Sequence, residues 1–251
     1  MAYDLPLAAE LTAWIALMML IMARLSFVIF LMPGIGEQTI TPRVRVAILL
    51  AFSTALAASG IVKVPLVTTP SAFAALLFIE SLVGAFLGIL LRLSIWMLAI
   101  AGTLIAQVIG LAQMLGIALE GQAQTITANL LSMAGAALLL SMDYHVSAFV
   151  RFTELYNEIP VGDISGVDLM FVVQSGYRAF AFAILMAWPF VAVNLLYNIC
   201  LGFINKALPS LMVAFVGAPF MIGSGMLLFA VSVATILMVW ADRIPSIIGW
   251  L

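Results

Sequence analysis

The chain has 251 residues, 66% of them hydrophobic and only 8% charged, with a mean hydropathy of +1.28 and a formal net charge of −2. A soluble globular domain carries about 25% charged residues, so this composition excludes one and indicates an integral membrane protein. With 9 basic residues against 11 acidic there is no basic patch to hold nucleic acid, and the apolar/polar alternation of a membrane β-barrel is absent.

A hydrocarbon core of about 30 Å needs roughly 20 apolar residues per helix, which gives the chain room for about six such helices. The expected class is all-α: a polytopic membrane protein of broken apolar helices arranged as hairpins. The first run, about 11–32, stops at Pro33-Gly34. A second begins after Thr41-Pro42 and fades near Ser59-Gly60. Runs over about 71–91 and 93–109 touch at Arg92, so they form either one long bent helix or a very tight hairpin. Next comes "GLAQMLGIALEGQAQT", residues 110–125, which interrupts the helical pattern with Gly110, Gly116 and Gly121 yet carries a single acid. After an apolar run over about 126–142, residues 143–168 hold five acids against one arginine and contain Pro160-Val161-Gly162; they read as the main extramembrane connection. Two further helices are expected over about 169–203, interrupted by Pro189, and about 211–240, with Pro209, Pro219, Gly223 and Gly225 punctuating its approach.

Irregular backbone at membrane depth survives only where protein or a water-filled cavity covers it, so these breaks imply packing partners or a passage. Ionisable groups inside apolar runs are expensive and are functional candidates by default. Arg24 and Glu80 both lie within such runs. As a pair they offset each other's desolvation, and either a register-fixing role or a transport role is consistent with that. Arg92 and Arg178 lie nearer run ends and are placed to snorkel. Gly84 and Gly88 form a small-xxx-small pair suited to close helix approach.

Enzyme signatures are missing. The single histidine, His145, and the single cysteine, Cys200, cannot supply the four ligands of a structural zinc site. Asp143 and His145 in "MDYH" read as a helix cap or interfacial anchor. There is no phosphate-binding glycine loop and no nucleophile elbow. No catalytic residue, metal or cofactor is expected. The first basic residue, Arg24, follows Asp4 and Glu10, which does not match the positive start of a cleavable signal peptide. Cytoplasmic loops favour Lys and Arg, so the acid-rich 143–168 stretch points to the periplasmic side.

The stretch "RLSFVIFLMPGIGEQTITPRVRVAILLAFS", with Arg24, Pro33, Gly36, Pro42 and Arg45, resembles the start of the FliR family, the flagellar relatives of the SctT subunits of type III secretion. The likeness continues through "GTLIAQVIGLA" and through "MDYHVSAFVRFTELYNEIPVG", with Asp143, His145, Tyr156 and Pro160, and ends in "LGFINKALPSLMVAFVGAPF". That last motif departs from the family pattern. Lys206 stands for arginine, Leu208 for alanine, Ser210 for glutamine and Met212 for asparagine, while Gly217 and Pro219 are kept.

What the resemblance implies is an export-gate subunit in the inner membrane of the bacterial flagellar basal body. It would assemble with FliP-like and FliQ-like subunits, and with FlhB- and FlhA-like components, to pass unfolded flagellar proteins. An injectisome gate is the near alternative, and a small-solute secondary transporter a more distant one. Residues 1–168 correspond to a FliP-like part and 169–251 to a FliQ-like C-terminal hairpin. The resemblance also implies that the assembled helices sit largely above the bilayer plane. By position, Gly110, Leu111, Gln113, Met114, Leu115, Gly116, Ile117 and Gly121 resemble the plug that closes the resting pore. Glycine hinges and an apolar tip suit that role. Pro33, Pro42, Pro209, Gly217 and Pro219 are then helix breaks at subunit contacts.

Overall fold

The computed structural model describes the backbone of residues 6–37, 39–63, 69–110, 120–207 and 213–248, and side chains over 10–37, 39–63, 69–110, 126–207 and 217–246. Among the described residues there are seven helices and no strand: α1 (Pro6–Leu31), α2 (Pro42–Ser59), α3 (Pro70–Ile109), α4 (Glu120–Ser141), α5 (Tyr144–Glu158), α6 (Leu169–Ala207) and α7 (Val213–Ile248). Five of them, α1, α2, α3, α6 and α7, contain stretches long and apolar enough to cross a bilayer; α4 and α5 do so only as a pair broken at residues 142–143. The protein is a polytopic helical membrane protein.

Local chemistry accounts for the helix ends. α1 stops two residues before Pro33, and Gly34 then takes φ +85°. α2 opens on Pro42, whose missing N–H is no loss in a first turn, behind an extended Thr41. It closes on Gly60 in the left-handed region, φ +69°, where a side chain is disfavoured. α3 runs unbroken through Arg92 for 40 residues, so the long-helix reading holds.

The chain divides into two compact units, each built from separate stretches: Met1–Arg92 with Leu139–Gln174, and Leu93–Leu138 with Ser175–Trp250. In the first unit, α1 buries Leu20, Ile21, Leu25, Val28 and Ile29, a single face at helical spacing, and Met32 just beyond its end is buried too. α1 packs on α2, and Phe52 of α2 stacks on Phe149 of α5 with ring centroids 4.2 Å apart. Gly84 and Gly88 bring α3 against the α1 main chain, Gly84 at Arg24 and Gly88 at Phe27. The contact advances in the same sense along both helices, so α1 and α3 run parallel. Lipid tails are as apolar as leucine, and small residues that let backbones touch are what holds such a pair.

The second unit repeats the device. Gly102 of α3 lies against the α4 main chain at Ala128, and Gly225 of α7 lies against Ile109. Trp240 of α7 is fully buried, and its Nε1 donates to the Ser94 carbonyl at 2.7 Å, which satisfies a polar group that would otherwise be stranded.

Three expectations are corrected. Pro189 and Pro219 do not break helices: both lie inside, in α6 and α7. Proline in an apolar helix is tolerated when neighbouring groups re-satisfy the freed carbonyl. Gly121 belongs to α4, which begins at Glu120, and not to the preceding loop. The acid-rich 143–168 stretch is not simply a connection, because α5 occupies more than half of it. α5 buries Ala148, Phe152, Leu155 and Tyr156 and turns Arg151, Glu154 and Glu158 outward. Averaging over that amphipathic helix hides it from a hydropathy reading.

Candidate functional site

Arg24 and Glu80 meet in the first unit. Arg24 Nε donates to Glu80 Oε2 at 2.6 Å and Nη2 to Oε1 at 3.0 Å, a two-pronged pair with side chains 1% and 0% exposed. The pair is part of a larger node. Arg24 Nη1 donates to the Ile159 carbonyl at 2.9 Å, and Nη2 also reaches the Pro160 carbonyl at 3.4 Å. The Gly162 N–H donates to Glu80 Oε1 at 2.8 Å. The guanidinium lies over the Tyr156 ring, 4.4 Å from its centroid, and that ring meets Phe152 edge-on. Four of the five guanidinium N–H groups are thus used, and both carboxylate oxygens are occupied.

The sequence builds this node locally. Glu80, Gly84 and Gly88 share one face of α3, so the close approach at Gly84 carries Glu80 to Arg24. The chain leaves α5 at Ile159, whose N–H bonds back to the Leu155 carbonyl, and then turns through Gly162 at φ +85°. A side chain there would be strained and would run into Leu76. The Asp163 carboxylate accepts from the Ser165 N–H at 2.8 Å and the Ser165 hydroxyl at 2.6 Å, and these bonds hold its pKa below the usual carboxylate range.

A second ionic cluster escaped the sequence reading. Arg92, expected to snorkel, instead pairs with Glu37 at 2.5 Å, each side chain 20% exposed. Arg45 donates to the main-chain carbonyls of Glu37 and Ile40, the latter at 2.9 Å. The available signal was Arg92 itself: an arginine in the middle of a long apolar helix calls for an acid, though nothing in the sequence singles out Glu37, 55 residues away.

Of the other candidate residues, Pro33 and Pro42 flank the turn between α1 and α2. Gly217, expected as a helix break, lies instead inside α7, buried against Tyr197 of α6. Pro209 and the candidate plug residues Leu111, Gln113, Met114, Leu115, Gly116 and Ile117 lie outside the described residues. Gly110 is described and has φ +77°, a conformation that ends α3 and that side chains rarely adopt. Beside Ile109, just before Gly110, lies a cavity of about 250 Å³ lined chiefly by Phe190, Asn194, Tyr197, Phe220 and Met221.

The profile described as Bacterial export proteins, family 1, matches residues 15–247. The flagellar biosynthetic protein FliR of Caulobacter vibrioides is 30% identical over 234 residues, spanning 89% of this chain and 91% of that protein. FliR of Aquifex aeolicus is 26% identical, over 85% of this chain and 83% of its own length. FliR of Escherichia coli is 22% identical, over 87% and 84%. The matches run through both compact units, from α1 to α7. The chain belongs to the bacterial export proteins, family 1, the family of the flagellar FliR proteins.

Proposed function

We propose that this chain is the FliR-like subunit of a flagellar protein-export gate in the bacterial inner membrane. It closes a ring with FliP-like and FliQ-like subunits, works with FlhA- and FlhB-like components, and lets unfolded flagellar proteins through. The observation that carries the reading is the family match across residues 15–247, together with relatives named for flagellar biosynthesis. Those relatives favour the flagellar over the injectisome version.

Physical features of the first unit support a place in an assembly over a set of independent spans. The 159–162 turn meets α3 at Glu80, and the α1–α2 turn meets it at Arg92. Twelve residues of helix separate these two contacts, about 18 Å at 1.5 Å per residue. A hydrocarbon core is about 30 Å thick, so the two polar turns are too close to lie on opposite sides of it. In the second unit large apolar side chains face outward, among them Phe203, 71% exposed, and Leu227, 67%. Partner helices and lipid are the two environments that suit them.

Residues 110–119 act in this reading as the resting plug. Gly110 is the hinge at the end of α3, the adjoining cavity gives room for rearrangement, and the apolar tip excludes water and the ions it carries. The test is co-expression with FliP-like and FliQ-like partners followed by purification. One complex containing all three, with the chain alone aggregating or degraded, is expected. A monodisperse, stable solo chain that ignores those partners would overturn the reading. Loss of secreted flagellin and of swimming on deleting the gene, with no change in any host-directed secretion, separates the flagellar gate from the injectisome.

A further inference from the structure

We infer that Arg45 and Arg92, around Glu37, hold the phosphate headgroup of an anionic phospholipid whose acyl chain lies along an exposed stripe of α1, Phe30, Phe27 and Met19. The inference goes beyond the gate reading and does not depend on it, because every residue in it belongs to the first unit of this chain.

The cluster carries more positive charge than it neutralises. Arg92 Nη1 and Nη2 donate to the two Glu37 carboxylate oxygens at 2.5 and 3.4 Å, which leaves its Nε–H unbonded. Arg45 uses only Nη2, on the Glu37 and Ile40 carbonyls; its Nη1 has no partner among the described residues, and its Nε is buried without one. Two guanidinium groups thus share one carboxylate, with donors left over on both. The start of α2 adds to the excess. Arg43 stands two residues before Arg45 with no partner among the described residues, the first turn holds no acid, and Thr41 supplies no side-chain cap. Arginines in a first turn face the positive end of the helix dipole, so an anion from outside the chain is stabilising there. The excess is local, since the whole chain has a net charge of −2.

Apolar surface leads away from the cluster. The Arg45 guanidinium lies 5.8 Å from the centroid of the Phe30 ring. Phe30, Phe27 and Met19 are 38%, 42% and 46% exposed, and they follow one side of α1 for about 17 Å at 1.5 Å per residue. Gly88 of α3 meets the α1 main chain at Phe27, which brings Arg92, one turn past Gly88, beside the same end of α1. The fitting occupant therefore joins an anionic head to a long apolar body. A free phosphate would leave the stripe bare, whereas a phospholipid has both parts, and basic pockets between membrane helices hold anionic headgroups in this way.

The test uses the chain extracted in mild detergent with whatever subunits accompany it, stripped of lipid and titrated with phosphatidylglycerol or with phosphatidylcholine of the same acyl chains, bound lipid being counted by native mass spectrometry. Phosphatidylglycerol is expected to bind more tightly, and Arg92→Gln to weaken it about fivefold, the contribution of one basic residue beside an anionic headgroup. Glu37→Gln removes the competing carboxylate and spares the main-chain carbonyl that Arg45 holds, so it is expected to strengthen binding. A purely structural role for the Glu37–Arg92 pair predicts a loss in both variants, and that result would overturn the inference. Arg151→Gln, on the exposed face of α5, changes the net charge by the same amount as Arg92→Gln and should leave binding unchanged. Equal binding of the two lipids also overturns the inference, as does competition by soluble glycerol phosphate at the affinity of the whole lipid, which would mean an anion site without the apolar stripe. A photo-crosslinking residue in place of Phe30 should give lipid adducts in native cells; protein adducts alone would assign the surface to another chain and overturn the lipid assignment, leaving the gate reading intact.

Discussion

Gly84 lies flush against the main chain of Arg24, one helical turn beyond the Glu80 that Arg24 binds. The close approach of α3 to α1 at Gly84 and the buried Arg24–Glu80 ion pair are therefore one contact, and neither is free to move without the other. A Cβ at Gly84 would meet the Arg24 carbonyl, which is backbone and cannot swing aside. Gly84→Ala is expected to lower the yield of assembled protein by an overpacking effect of about 1–3 kcal/mol. Gly176→Ala, where the added Cβ meets nothing within 4 Å, serves as the neutral control. Equal yields for the two variants would separate the glycine from the ion pair.

Removing either Arg24 or Glu80 alone strands a buried charge, at about 3–5 kcal/mol. A pair considered by itself suggests that replacing both with apolar residues is nearly neutral. The node changes that expectation, because the carbonyls of Ile159 and Pro160 and the N–H of Gly162 would lose their partners as well. Arg24→Met with Glu80→Leu should recover only part of the loss seen in the singles, measured as yield of the assembled complex. Full recovery would show that those main-chain groups find other partners.

The Glu37–Arg92 pair is partly exposed, and its replacement should matter less, about 0–1 kcal/mol for Arg92→Ala. Arg45→Ala is expected to be worse than Arg92→Ala, because Arg45 holds two main-chain carbonyls in the α1–α2 turn. The order of complex yields for the two variants is the check.

At Asp163 the folded carboxyl has a depressed pKa, so its bonds to Ser165 contribute above the unfolded-chain pKa and are lost as pH falls through the folded value. Proteolysis in the 159–168 segment should rise on acidification through that range in the parent protein. In Asp163→Asn, which cannot titrate, the acid-dependent step should be reduced. An unchanged step would assign the acid sensitivity to another group.

Gly110 at φ +77° sets the start of the candidate plug. Gly110→Ala is expected to cost about 1–2 kcal/mol at that position and to slow export without leakage. Replacing Met114 and Leu115 with serine should leave assembly intact and let the resting membrane leak ions, since polar groups allow an apolar constriction to wet. Salt sensitivity reports the leak, and secreted flagellin reports transport. Normal assembly, no leak and normal export from a loop deletion would remove the plug from the proposal.

The sequence by itself determined the solvent, the secondary structure class and the family. Apolar runs near 20 residues need a bilayer or a partner to cover them, Pro33-Gly34 and Ser59-Gly60 mark real helix ends because backbone sterics act locally, and the order of short motifs points to FliR. Arg24 and Glu80 were legible as a pair because two opposite charges in apolar runs have few other solutions. Tertiary structure alone decided what the pair holds. The carbonyls at 159 and 160 and the N–H at 162 are found only once α5 returns the chain to α1 and α3, and main-chain groups leave no trace in residue identity. It also decided that Pro189 and Pro219 stay inside helices and that Arg92 meets Glu37. Those outcomes depend on which neighbours satisfy a freed carbonyl or a buried charge, and neighbours distant in sequence are chosen by packing.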